Sequence, residues 1–351
     1  MKLTKRIKRY WRSWKNTRLT HDDVQALTLY PECPQKKLSQ IRRELFWLCR
    51  NYKRGSWTNK ETITDYFNMG IDRKGEDVHK YIFRIEMHNA RCSRQHVTCW
   101  ILRDKWVTAQ YLQIYGIATT RPVIYKTPFV SAQETIDSIK KSGQTQFFAK
   151  KIDESFGRGA FTFCLKDGKF ESDGIPISNE ELVTRLDDCV VEPYIEQHET
   201  LNALGPGAVS CIRMITICDK GEVNLVLHYF FVPASGARNS HTNQGAIMIG
   251  VNKLGELAET GLQLNIHRGK RKVHPDTGIV FKGFKIPFWK EATELVINAH
   301  KRFPKIHSIG WDVAISKDGP LIIEANQHWG PHNFQFVYGP GREYKAKFFL
   351  N

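Results

Sequence analysis

The stretch SIGWDVAISKDGPLIIEAN, residues 308–326, reads as two strands joined by a tight turn, and it limits the chain to folds that contain an antiparallel sheet. Its second strand is apolar from Leu321 to Ile323, yet it ends in Glu324, Ala325 and Asn326. Side chains alternate across a strand, so Glu324 and Asn326 share one face while Ala325 points away. Asp312, on the strand before, adds another oxygen ligand. Two carboxylates and an amide gathered in this way suit one or two Mg²⁺ ions, with phosphate oxygens filling the remaining positions.

The rest of the chain mixes helices and strands. Residues 21–95 read as mostly helical, with LSQIRRELFWLCRNYKR the clearest amphipathic stretch. TCWILRDKWVTAQYLQIYGIATTRPVIY predicts one helix ended by Gly116, followed by a strand. TQFFAKK predicts a strand, AFTFCLKDGKFESDG a hairpin turning at Asp167-Gly168, and ISNEELVTRLDD a helix opened by a Ser178–Glu181 capping box. Strands follow at CVVEPYI, SCIRMITIC and VNLVLHYFFV, the last two joined by a turn at Asp219 to Gly221. Residues 233–283 read as a glycine-spotted polar region, and KEATELVINAHKRFP as a helix before the final hairpin. This order predicts an α+β fold with largely antiparallel sheets, and 351 residues at 41% hydrophobic content suffice for two or three subdomains.

Charge narrows the partners. The chain carries 52 Lys and Arg against 36 Asp and Glu, a formal net charge of +16, which favours an anionic partner such as a nucleotide, a nucleotide sugar, a nucleic acid or an anionic membrane. The first twenty residues hold eight Lys or Arg and no acid, while Leu3, Ile7, Tyr10 and Trp14 recur at helical spacing. That pattern fits a basic helix lying on an anionic surface, or one packed on the body with a solvated basic face. The eight cysteines form no C-x-x-C pair and several sit in apolar runs, which predicts buried free thiols in a reducing cytosol. No apolar run is long enough to span a bilayer, and the N-terminus lacks the apolar core of a signal peptide.

Two further pieces carry chemistry. Lys150 closes a strand and is followed by KIDESFGRGA, a loop with Gly157 and Gly159 whose backbone N–H groups suit a polyphosphate. VVEPYIEQHE runs from a strand into a linker and holds Glu192, Pro193, Tyr194, Ile195 and Glu199. With Asp104-Lys105 ahead of them and Asp312, Glu324 and Asn326 behind, these motifs resemble, in order and spacing, the ATP-grasp superfamily over roughly residues 97–335.

The resemblance implies two α+β subdomains clasping ATP, with a mainly helical basic region at 1–95, a first subdomain at 96–195 and a C-terminal subdomain with the metal site at 196–351. It also implies roles. Lys105 and Lys150 bind the ATP phosphates under the loop 154–160. Glu192 accepts from the adenine amino group, Pro193, Tyr194 and Ile195 line the ring edge, and Glu199 binds the ribose. Asp312 with Glu324, and Glu324 with Asn326, hold two Mg²⁺ ions. Arg213, and Arg238 in a loop that continues to Asn243 and Gly245, stabilise charge on the transferring phosphoryl group, a task shared with Lys150. Lys151 stands where many members have proline, and His328 and His332 are candidates to line an acceptor site.

The implied reaction is ATP-dependent ligation of a carboxylate to an amine through an acylphosphate. The run GWDVAISKDGPLIIEANQHWGPHNFQ with the HTNQGA loop looks most like the sugar-transfer-associated branch of the superfamily. The expected partners are therefore an amino acid or other amine and a nucleotide-linked or lipid-linked sugar carboxylate of bacterial surface polysaccharide, such as capsule. An acyl group added to an amino sugar is the related possibility. The expected location is cytoplasmic, with residues 1–20 suited to peripheral contact with the inner face of the membrane. A peptide or small-metabolite amide ligase would share every ATP residue. A nucleic-acid-binding protein would use the net charge but leave Asp312, Glu324 and Asn326 unexplained.

Overall fold

The computed structural model describes residues 17–51, 59–84, 86, 95–152, 159–234, 236, 245–264, 269–330 and 332–344, together with Ile7, Trp11, Trp14 and Lys15. Three helices open the described chain: α1 (His21–Leu27), α2 (Leu38–Asn51) and α3 (Asn59–Asn68). The stretch expected to form one helix before Gly116 divides in two, a 3-10 helix at Val97–Arg103 and α4 (Lys105–Ile114). Asp104 is the reason: its carboxylate accepts from the Val107 N–H at 2.8 Å and starts a new helix.

The smaller sheet takes its order, β1-β6-β2-β3-β4-β5, from β1 (Ile124–Lys126), β2 (Gln146–Lys151), β3 (Phe161–Lys166), β4 (Lys169–Ser172), β5 (Ile175–Ile177) and β6 (Cys189–Pro193). The β3–β4 turn has positive φ at both Asp167 and Gly168, as the sequence requires. Helices α5 (Ala132–Lys141) and α6 (Asn179–Arg185) bury Ile136, Ile139 and Leu182 against Phe147, Phe163 and Phe170. Ser178 caps α6 by accepting from the Glu181 N–H at 3.0 Å, which is one half of the expected capping box; the reciprocal bond from Ser178 N–H to the Glu181 carboxylate is not formed.

The larger sheet has the order β11-β10-β9-β8-β7-β12-β13. After α7 (Glu199–Leu204) come β7 (Cys211–Asp219) and β8 (Glu222–Val232), then β9 (Ile247–Val251), β10 (Leu257–Gln263) and β11 (Gly269–Arg271). These last three strands lie in the region read from sequence as glycine-spotted and polar; the buried run from Ile247 to Val251 is the apolar signal that the surrounding glycines obscured. Next are α8 (Trp289–His300), β12 (Ser308–Ser316), β13 (Gly319–Asn326) and α9 (His332–Tyr338).

Alternation along β7 assigns the two faces. Ile212 and Met214 join the core under α4, α7 and α8, whereas Cys211, Ile215 and Ile217 join a second core shared with α1–α3 and α9. The N-terminal helices thus pack on the same face of the larger sheet as the odd-numbered residues of β7. Gln335 of α9 secures that packing with a reciprocal pair to the Ile82 backbone, at 2.8 and 2.7 Å. All seven cysteines among the described residues are free thiols, four of them buried.

On the other face a buried polar chain fixes α8. Trp311 Nε1 donates to Thr216 Oγ1 at 2.7 Å, and Thr216 Oγ1 lies 2.6 Å from His300 Nδ1. His300 Nε2 lies 2.8 Å from the Ile306 carbonyl, which can only accept, so Nε2 carries the proton and Nδ1 accepts from the threonine. Burial disfavours imidazolium and pulls the His300 pKa down to about 4. As pH falls, the unfolded chain takes up this proton first, so the contribution is present above pH ~6.5 and is lost towards pH ~4. The expected loss over that window is about 3 kcal/mol. Urea unfolding at several pH values checks it: His300→Gln is expected to remove that part of the slope, and an unchanged slope refutes the assignment.

Candidate active site

Four strands align four side chains in one row across the larger sheet. Glu324 on β13 is the register partner of Asp312 on β12, Asp312 of Arg213 on β7, and Arg213 of Tyr229 on β8. Two bulges make the row. From the Lys317-Asp318 turn, strict pairing would set Asp312 against Ile323; the irregularity between Asp312 and Val313 brings Glu324 opposite instead. On β8 the shift between Ile215 and Thr216 replaces His228 by Tyr229 as the partner of Arg213.

Asp312 is heavily engaged. Arg213 grips it with both Nε and Nη2, the latter at 3.0 Å from Oδ2, and Asn326 Nδ2 donates to the same Oδ2 at 3.2 Å. Burial opposes the Arg213 charge, but Asp312, together with Tyr229 and Cys211, outweighs it and holds the guanidinium pKa above its ordinary value. Glu324 is freer. Its side chain is about one-third exposed, with Lys105 Nζ at 3.9 Å as the nearest cation among the described residues. Burial and the neighbouring Asp312 push the Glu324 pKa up, against the pull of Lys105, Lys150 and Arg213. Cys211, buried beside the pair, is pushed well up by burial and Asp312, so it stays a thiol.

The lysines arrive from two elements. Asp104 caps α4 and so sets Lys105 at its first position, where a cation faces the positive end of the helix dipole. The conflict is relieved because Nζ leaves the helix to donate to the Ile152 carbonyl at 2.7 Å and approach Glu324. Lys150, at the end of β2, donates to the Ile323 carbonyl at 3.3 Å and pairs with Glu192 at 2.9 Å. Glu192 is itself buried, and its other oxygen accepts from Thr120 at 2.7 Å.

The two sheets meet here. Thr119 bridges Ile322 of β13, and Thr120 N donates to the Ile322 carbonyl at 3.1 Å. The linker after β6 is tied to the far end of the same hairpin, by Gln197 bridging Ser316 and Glu196 paired with Lys317. Tyr194 N donates to the Gln146 carbonyl at 2.9 Å, and Glu199 is the exposed first residue of α7.

Lys105, Lys150, Arg213, Asp312, Glu324 and Asn326 are therefore brought together, with Glu192 attached through Lys150. Lys151 turns the opposite way, to the Asp187 carbonyl. His328 lies edge-on to Trp100 at 6.5 Å, and His332 packs against Phe336 at 5.5 Å. Arg238 and Asn243, with the loop 154–158, fall outside the described residues. Sequence reasoning missed Thr120 and Tyr229; the bulge that selects Tyr229 leaves no mark in the residue pattern.

Among the described residues no three of His, Cys, Asp and Glu gather to hold a metal ion by themselves. Asp312, Glu324 and the Asn326 side-chain oxygen are hard donors that fit a Mg²⁺ only when phosphate or water oxygens share the shell. The surrounding cations suit such a phosphate.

Two antiparallel sheets that meet beside Lys105 and Lys150, with Asp312 and Glu324 side by side on the larger one, form an ATP-grasp fold. Residues 87–348 match the sugar-transfer associated ATP-grasp family, and the chain belongs to that family. Its fold is similar to the biotin carboxylase domain of the Hydrogenobacter thermophilus 2-oxoglutarate carboxylase, solved with MgADP and bicarbonate, at 16% identity and TM-score 0.41, covering 69% of this chain and 45% of that one. It is also similar to the D-alanine-D-alanine ligases from Coxiella burnetii (12% identity, 71% and 52% covered, TM-score 0.37) and Bacillus anthracis (13%, 71% and 68%, 0.42). The chain spans about half the length of the first two of these. No curated protein matches its sequence.

Proposed function

We propose that this chain is an ATP-dependent carboxylate–amine ligase whose carboxylate belongs to a nucleotide-linked or lipid-linked sugar and whose amine is that of an amino acid. An acyl group joined to an amino sugar is the same chemistry with the roles exchanged. The observation that carries the reading is the row Asp312–Glu324 ringed by Lys105, Lys150 and Arg213, a set that suits a polyphosphate and a hard cation together. Membership of the sugar-transfer associated family supports the sugar-linked substrate.

ATP supplies the phosphoryl group and Mg²⁺ offsets the charge of its phosphates. The chain does the rest. Lys105 and Lys150 hold the phosphates; Glu192 keeps Lys150 aimed, and Thr120 keeps Glu192 in place. Pro193, Tyr194 and Ile195 lie along the adenine edge, Glu199 meets the ribose, and Asp312, Glu324 and Asn326 carry the cations, two in number. A substrate carboxylate oxygen bonds to the γ-phosphorus and ADP leaves; the amine nitrogen then bonds to the acyl carbon, phosphate leaves, and the amine gives up a proton. Arg213, joined by Arg238, faces the negative charge that develops in both steps. On this reading the chain divides near residues 95 and 195, although the helices between 97 and 114 sit on the larger sheet.

Of the apolar positions Leu3, Ile7, Tyr10 and Trp14, the first and third lie outside the described residues; Ile7 and Trp14 are exposed, as is Trp11, with Arg18 over the Trp14 ring at 4.2 Å. They support peripheral contact with an anionic membrane surface. Among the described residues no helix is long and apolar enough to cross a membrane.

The test is ADP release from MgATP over a grid of nucleotide-linked uronic acids and amino sugars against amino acids. It is run with and without anionic vesicles, on the full chain and on one lacking residues 1–20. Release that needs one carboxylate and one amine together is expected. Release with small peptides or metabolites alone would replace the sugar assignment, and identical vesicle binding by the shortened chain would remove the membrane contact.

A further inference from the structure

Resting on the ligase reading in one respect, that Asp312 receives a divalent cation, we propose that Tyr229 is a positioning residue that takes over Arg213 when Asp312 turns to that cation. In the row across the larger sheet Arg213 has Asp312 on one side and Tyr229 on the other. Both Asp312 oxygens are in use: Arg213 reaches each of them, and Asn326 shares Oδ2. A carboxylate offers about four lone-pair positions, and three are filled here. A guanidinium left in this grip would also stand against a like-charged ion. A cation held through both Asp312 oxygens therefore needs a position that is now filled, and like charge makes it one of the two that Arg213 holds.

A buried guanidinium needs another acceptor, and its cross-strand neighbour on the side away from Asp312 is Tyr229. Tyr229 is fully buried, and its hydroxyl makes no well-aligned hydrogen bond among the described residues; the Asn333 amide of α9 is the polar group beside it and leaves it acceptor capacity to spare. Packing alone does not account for the hydroxyl. The ring sits edge-on to Phe231 at 5.4 Å, and the strand already uses phenylalanine at 230 and 231, so Phe would fill this site without burying an unpaired polar atom. The spare lone pairs of Tyr229 are the acceptor that Arg213 reaches when it leaves Asp312. The shift leaves the remaining guanidinium N–H groups directed at the anionic substrate. Tyr229 acts through Arg213 and not on substrate.

The experiment is calorimetric titration of the full chain with Mn²⁺ in the presence of ADP. Tyr229→Phe is expected to weaken Mn²⁺ binding about tenfold, the effect of one lost hydrogen bond to a charged group. In an Arg213→Met background the same change is expected to have no effect. Wild-type affinity in Tyr229→Phe overturns the proposal, as does an equal loss in both backgrounds, which would mark a packing effect. Should the Phe variant melt without cooperativity, 3-fluorotyrosine placed at position 229 keeps the shape and weakens the acceptor. It is expected to lower the affinity in the same direction, and no change overturns the proposal. A wild-type chain that binds no Mn²⁺ with ADP would overturn the ligase reading as well, whereas normal binding with an indifferent Tyr229 would overturn this inference alone.

Discussion

Lys150→Met is expected to destabilise the fold by about 3–5 kcal/mol and to abolish nucleotide binding, the first because it strands a buried carboxylate. Glu192 is 2% exposed, and Lys150 at 2.9 Å is its ion-pair partner. Thr120 bonds the other oxygen but offers no compensating charge. Methionine keeps the length and the apolar stem, so the loss is electrostatic and not a cavity. The double variant Lys150→Met/Glu192→Gln removes both charges and is expected to regain most of the stability, because a neutral pair in this site needs no desolvated charge. It should not regain ADP binding, since the cation aimed past Ile323 at Glu324 is still missing. Urea midpoints and ADP titration on the three proteins decide the matter. A double variant that binds ADP like wild type would show that Lys150 is a structural partner only.

How much of this was legible in the sequence depends on whether a feature is local. The hairpin turns, the Ser178 cap and the alternation that sets Glu324 and Asn326 on one face are properties of a few adjacent residues, and they appear where expected. The two bulges are not local. Neither Ile323 nor Val226 differs from an ordinary strand residue, yet one slip at each decides whether Asp312 meets Glu324 and whether Arg213 meets Tyr229 or His228. Glu192 illustrates another limit. A strand-end carboxylate beside a linker looks free in sequence, and only the pairing of β2 with β6 brings it to Lys150 and commits its charge. The strands between 247 and 271 were hidden because Gly250, Gly261 and Gly269 weaken the pattern, although Gly250 and Gly261 are glycines for packing reasons. A Cβ at 261 would stand 2.6 Å from Ile247, and one at 250 would stand 3.0 Å from Val337 of α9. The cap at Asp104 is the converse case. It interrupts an apolar helical pattern without breaking the chain direction, and it is what turns Lys105 towards the acidic row.

Glu324→Ala is expected to lower turnover by at least about 10³-fold while leaving the fold intact, and the sign of its stability effect is the sharper test of the site. In the ligand-free chain Glu324 lies beside Asp312 with its pKa raised, by burial first and by that neighbour second. A carboxyl whose folded pKa exceeds its unfolded value favours folding below the unfolded pKa, and that contribution is lost as pH rises through the folded one. Above the folded pKa the ionised group therefore opposes folding, and removing it should leave stability there unchanged or raise it. The Asp312–Arg213 fork and the Asn326 contact do not depend on it. A residue kept at such a position at the expense of stability fits a group retained for ligands, which is the usual relation between active sites and the folds that carry them. Thermal melting with and without MgADP separates the possibilities: wild type is expected to gain stability from the nucleotide, and Glu324→Ala to melt at or above the ligand-free wild type yet gain little. A variant that melts well below wild type would make Glu324 a structural residue, and one that retains turnover would remove the final hairpin from the reaction.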